Sequence, residues 1–208
     1  MYNISMVVKN NSNPIKKIRD IYKGQHGFIL TSDLAKFRIP RTYLSMLLKD
    51  GEIQRISRGV YSAVNYMVDE MASIQARYKG AIYSHETALY LLGLTDRSPF
   101  IYSVTVPSEY NATSLKASGA KVYFVKRGLY LLGSITMKSP HGNEIKTFNL
   151  ERTICDVLRN RNQMDIQFVN ESLKKYVLHK NRNIDQLYNF AKQFRIQNIV
   201  RDYIEVLL

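Results

Sequence analysis

The chain has 208 residues, 45% of them hydrophobic and 23% charged, a globular balance that excludes a disordered or fibrous chain. Thirty Lys and Arg against seventeen Asp and Glu leave a net charge of +13, which favours nucleic acid or an anionic surface as partner without specifying a sequence. No apolar run approaches the ~18 residues of a membrane span, Met1–Asn10 shows no basic-then-apolar leader, and the single Cys155 cannot form an internal disulfide, which suits a reducing cytoplasm.

Met1 to Asn13 ends in a polar Asn-Asn-Ser-Asn run and reads as an arm or a loose strand. Ser12 or Asn13 can cap a first helix with Pro14 in its first turn, and Ile15, Ile18, Ile21 and Tyr22 recur at helical spacing up to Gly24. Thr31 or Ser32 is placed to cap a second, short helix carrying Leu34, Ala35 and Phe37. Pro40 opens a third, whose stripe of Leu44, Leu47 and Leu48 falls at i, i+3, i+4, with Gly51 as its stop. Glu52–Ile56 and Gly59–Ser62 then form a β-hairpin around Ser57-Arg58-Gly59. Helix, tight turn, helix and basic hairpin in that order are a winged helix-turn-helix.

Past Ser62 the pattern changes. Val68–Tyr78 reads as a helix, Ala81–Tyr83 as a short strand, and Ser84–Leu92 as a helix stopped by Gly93. Residues 101–106, 121–125, 133–138 and 144–148 are strands, with a short helix near 113–118. After Leu150 the chain is helical over 150–159, 165–178, 184–194 and 197–206. The fold class is therefore α+β. A winged helix-turn-helix over residues 1–62 precedes an α+β domain over 63–208, with a mixed sheet to about 148 and a helical end from 150 to 208.

DNA is the first partner to consider. Pro14–Tyr61 holds ten Lys/Arg against four Asp/Glu, a charge that suits phosphate neutralisation. In such a module the third helix enters the major groove. With Leu44, Leu47 and Leu48 buried, its opposite face presents Arg41, Thr42, Ser45, Met46 and Lys49. Arg41 suits a bidentate contact to guanine, and Thr42 and Ser45 suit base edges or phosphates. Tyr43 leans on the backbone, and Lys36 and Arg38 sit at the turn for phosphate. Arg55 and Arg58 lie on the hairpin, where a wing meets the minor groove or flanking phosphates. Use of the fold for protein contacts fits less well, because the basic groups cluster where DNA would lie.

Three segments carry a family resemblance. Gly51-Glu-Ile-Gln-Arg-Ile-Ser-Arg-Gly-Val-Tyr61 resembles the wing of AbiEi-type antitoxins of type IV toxin–antitoxin systems. Ser84-His-Glu-Thr-Ala-Leu-Tyr-Leu-Leu-Gly-Leu94 and Leu150-Glu-Arg-Thr-Ile-Cys-Asp156 resemble later helices of the same family, in the same order. The resemblance implies a winged domain that binds inverted repeats in double-stranded promoter DNA and represses its own operon. It implies a C-terminal domain that counteracts a nucleotidyltransferase-like toxin without a stable complex, in abortive phage infection. The competing reading is a plain winged-helix regulator with a ligand-sensing second domain.

The remaining motifs point away from enzymatic chemistry and from cofactors. Glu144-Ile-Lys146 echoes half of a nuclease site, but a metal-dependent nuclease needs a further carboxylate, and Asp96, in a loop, is the nearest. His85-Glu86 lacks a second His four residues on, so the zinc signature is absent, and no metal site is expected. Gly128 and Gly133 lack the Lys-Ser/Thr of a P-loop. Cys155 falls on an apolar helix face and reads as core. Arg152 and Asp156, four apart, read as a local ion pair; the alternative is that Arg152 anchors the strand layer or contacts whatever the second domain recognises. Lys174, Lys175, Lys180 and Arg182 form a second basic cluster, either a solvated face or a surface for nucleic acid.

Overall fold

A computed structural model describes residues 13–205, so the expected N-terminal arm lies, up to residue 12, outside the described residues. The chain divides into two compact units, residues 1–77 with Pro140–Asn143, and Tyr78–Ser139 with Glu144–Leu208.

The first unit begins with α1 (Pro14–Gly24), capped by Asn13, whose side chain accepts from the Ile15 amide at 3.0 Å. Strand β1 (Phe28–Leu30) runs directly into α2 (Thr31–Lys36), and α3 (Thr42–Lys49) follows. Strands β2 (Ile53–Ser57) and β3 (Val60–Ala63) form the hairpin, and α4 (Glu70–Arg77) closes the unit. The sheet is three-stranded and antiparallel in the order β1-β3-β2. Residues Phe28 to Leu30 are too few to show a period of two, so only pairing with β3 some thirty residues later reveals β1 as a strand.

Neither Thr31 nor Ser32 caps α2, contrary to expectation. The N-cap is Leu30, without a side-chain hydrogen bond. Thr31 instead donates its amide to the Gly59 carbonyl at 3.0 Å, fastening the hairpin turn to the start of α2. The core gathers Ile18 and Tyr22, Ile29, Leu34, Ile39, Leu44, Leu47, Ile53 and Ala63. Each large side chain so buried contributes about 1.5–3 kcal/mol relative to exposure. Leu48 is only half-buried at the edge of this core.

The second unit is built on β4 (Ile82–Tyr83), β5 (Ser103–Pro107), β6 (Lys121–Val125), β7 (Ser134–Lys138) and β8 (Glu144–Phe148). They form one mixed sheet in the order β6-β5-β4-β8-β7. Pairs β4/β5 and β7/β8 are antiparallel, and β5/β6 and β4/β8 parallel. Helices α5 (His85–Leu91), α6 (Thr113–Ala117) and α7 (Arg127–Tyr130) connect the strands. Then come α8 (Leu150–Arg159), α9 (Ile166–Leu178), α10 (Ile184–Phe194) and α11 (Gln197–Ile204). Helix α8 is the hub. Every residue from Glu151 to Leu158 is buried, and it meets α5, α9, α10 and α11.

Candidate nucleic-acid interface

The α2–α3 corner is set by its turn. Helix α2 ends in a Schellman motif, with the Arg38 amide on the Ala35 carbonyl at 3.1 Å and the Ile39 amide on the Leu34 carbonyl at 2.8 Å. Leu34 and Ile39 both enter the core, as the motif's apolar contact requires. The left-handed position belongs to Arg38, at φ +54°, where glycine is the usual residue. Pro40 and Arg41 then make a turn preceding α3. The Leu44 amide reaches the Arg41 carbonyl at 3.0 Å, and Arg41 is the N-cap with helical dihedrals. Pro40 thus precedes the helix that it was expected to open.

With Leu44 and Leu47 turned inward, Thr42, Ser45, Met46 and Lys49 are exposed on α3, and Arg41 is exposed at its start. Tyr43 is half-buried and packs on the core, so only part of its ring is free. Lys36 is exposed but holds the Asp33 carboxylate at 3.0 Å. On the hairpin, Arg55 and Arg58 are exposed. Arg58 sits beside Gly59, whose φ of +80° supplies the left-handed residue of the tight turn.

The hairpin's root is clamped by a contact that the sequence did not show. The Arg19 guanidinium on α1 grips Glu52 with two bonds of 2.8 Å, and the Tyr22 hydroxyl donates to the same carboxylate at 2.7 Å. The Arg19 hydrogen bond is the main cause that holds the Glu52 carboxyl down at about 2, while burial pushes the Tyr22 phenol up to about 12. Glu52 directly follows Gly51, the left-handed residue that ends α3, and its amide donates to the Leu47 carbonyl at 3.0 Å. One carboxylate therefore joins α1, the end of α3 and the start of the wing. Sequence separations of 30 and 33 residues hid this cluster from local reading.

Residues 16–64, the stretch that contains this clamp, the α3 face and the wing, match the family described as the AbiEi antitoxin transcriptional regulators. The N-terminal module is similar to AbiEi-type transcriptional-regulator domains over those residues. Among solved structures, the Rv2827c protein of Mycobacterium tuberculosis resembles this chain with a TM-score of 0.57 and 12% identity, over 85% of this chain and 70% of that one. At that identity the likeness is one of fold. No curated protein matches the chain.

Beyond this N-terminal module, the second unit places its singled-out residues as follows. Arg152 and Asp156 are buried, their side chains 0% and 4% exposed, and paired at 3.0 Å. The pair is thus an internal one rather than a solvated helix pair. Arg152 also donates to the carbonyls of Leu129 and Leu132 at 2.8 and 2.7 Å, and its guanidinium lies over the rings of Phe148 and Phe194. The guanidinium anchors the α7 turn from inside and is closed to a surface partner. Burial pushes the Asp156 carboxyl up, against the pull of Arg152.

Lys174 is exposed on α9, and Lys175 bonds Asp96 at 2.6 Å. Lys175 and Lys180 line a shallow basin with Gly93, Leu178, His179 and Asn181. Helices α5 and α9 both end beside this basin. Glu144 and Lys146 are exposed on β8. Among the described residues, no group of three or more His, Cys, Asp or Glu is placed to hold a metal ion, and no helix is long and apolar enough to cross a membrane.

His85 is a packing residue. It is 1% exposed at φ +49°, stacked on Tyr123 at 3.4 Å between ring centres. Its Nε2 lies 2.9 Å from the Asn160 amide nitrogen and its Nδ1 2.9 Å from the Ser84 hydroxyl. An amide nitrogen can only donate, so Nε2 accepts and Nδ1 carries the proton. Burial, reinforced by Arg152, Lys121 and Arg159, keeps the ring neutral. Ser84 stands at the N-cap of α5 without a capping bond, and its hydroxyl serves His85 and Thr105 instead. Cys155 is buried core, and burial pushes its thiol up.

Proposed function

We propose that this protein is the antitoxin of a type IV toxin–antitoxin pair, a non-enzymatic cytoplasmic protein that represses its own promoter. Residues 1–62 act as the regulatory half, docking α3 in the major groove of an inverted repeat. Arg41, Thr42, Ser45 and Lys49 read or position on the groove, Lys36, Arg38 and Tyr43 meet the backbone, and Arg55 and Arg58 clamp the flank. Residues 63–208 act as the protective half, counteracting a nucleotidyltransferase-like toxin in abortive phage infection without a stable complex. The observation that supports this reading is the exposed, basic α3 face within a stretch that matches the AbiEi regulator family.

Fluorescence anisotropy of the full chain tests the regulatory half, using a duplex of the DNA upstream of its own coding sequence and a random duplex. Arg41→Ala is expected to lose the preference between the two, and Lys36→Ala to weaken both equally. Equal losses from both variants would overturn the division of roles. Co-expression with the product of an adjacent nucleotidyltransferase-like gene tests the protective half. Full chain that fails to restore growth would overturn it.

A further inference from the structure

Met46 is the apolar residue on an otherwise polar exposed face. It is 49% exposed, with Thr42 one turn before it, Lys49 one turn after it and Ser45 beside it. It is not among the side chains that pack on the core of this unit. An apolar patch for another protein would need further exposed apolar neighbours, and here the neighbours are Thr42, Ser45, Lys49, Asp50 and the half-buried Tyr43, which packs on the core. The edges of base pairs in the major groove offer hydrogen-bond donors and acceptors, and the C5-methyl of thymine is their apolar feature. A thioether on three rotatable bonds adapts readily to such a methyl.

We infer that Met46 is a specificity-determining residue that packs on the C5-methyl of thymine in the operator. This inference rests on the proposal that α3 enters the major groove, and it adds a base class to that reading. Arg41 and Lys49 supply charge at the two ends of the helix, while Met46 selects for thymine between them.

The test uses the full chain and one DNA fragment, the sequence upstream of its own coding region, prepared by polymerase chain reaction with either dTTP or dUTP. The two duplexes differ by the methyl groups outside the primers. Wild type is expected to bind the uracil duplex about fourfold more weakly for each contacted methyl removed, the effect of one buried carbon. Met46→Ala is expected to bind both duplexes alike, and Met46→Leu to keep the discrimination. Because Met46 is exposed, all three proteins should melt together, and this is checked by circular dichroism.

Equal wild-type affinity for both duplexes, alongside preference over random DNA, would overturn the inference and leave the DNA-binding reading standing. Discrimination that persists in Met46→Ala would assign the methyl contact to another residue and overturn it too. No preference for the upstream fragment over random DNA would overturn the DNA-binding reading itself, and the inference with it.

Discussion

Arg19 and Glu52 meet in a two-pronged ion pair, Nε to Oε1 and Nη2 to Oε2, both at 2.8 Å. The planar guanidinium matches the carboxylate bidentately, and Glu52 stands where α3 gives way to the wing. The pair ties α1 to the joint between α3 and the wing.

A pH dependence follows. Glu52 has its folded pKa lowered from 4.5 to about 2. A lowered carboxylate pKa adds stability above the unfolded value, and that stability is lost as pH falls through the folded value. Glu52→Gln is therefore expected to be less stable than wild type at neutral pH, with the gap closing from about pH 4.5 down to about pH 2. Urea denaturation of both proteins across that range checks it. A gap independent of pH would show that packing, not charge, is what Glu52 contributes.

Arg38 occupies a left-handed position at φ +54°, a conformation that costs a side-chain-bearing residue roughly 1–2 kcal/mol. Arg38→Gly is expected to raise stability by about 0.5–1 kcal/mol, once glycine's larger unfolded-state entropy is subtracted. If Arg38 contacts phosphate, the same variant binds DNA more weakly, and the slope of log K against log salt shrinks by about 0.9. Thermal melts and salt titrations read the two effects separately.

Removing Arg152 strands a buried carboxylate. Arg152→Ala is expected to cost about 3–5 kcal/mol, the range for breaking one partner of a buried pair. The double variant Arg152→Met with Asp156→Leu should recover much of this, because neither charge then remains buried. Urea unfolding measures both, and a double variant no better than Arg152→Ala would show that the bonds to the Leu129 and Leu132 carbonyls matter more than the pair.

Gly27 has φ +86°, and a Cβ there would meet the side chain of Tyr66. Gly27→Ala is expected to destabilise the first unit by about 1–3 kcal/mol through overpacking and backbone strain. The added substitution Tyr66→Ala should return part of the loss, and a melt of the single and double variants decides it.

Much of this was legible in the sequence because it is local. Leucines three and four apart marked the buried side of α3, and so exposed Thr42, Ser45, Met46 and Lys49 on the other. Asn13 before Pro14, and Gly51 and Gly93 after their helices, signalled ends through the dihedrals those residues favour. Strand β1 and helix α7 escaped notice, because three or four residues are too short for a period and their partners are distant.

What the sequence alone determined is the order of elements, the basic balance of the module and the face that α3 leaves free, since each depends on neighbours within a few turns. What only the tertiary structure decided is where charge ends up. Arg152 and Asp156, four apart on a helix, look the same in sequence whether solvated or buried, and burial depends on α7, Phe148 and Phe194 arriving from elsewhere. Glu52 likewise becomes a clamp because Arg19 and Tyr22 are brought to it by the packing of α1. Long-range contacts set the local dielectric and the partner of each charge, and no spacing along the chain encodes either.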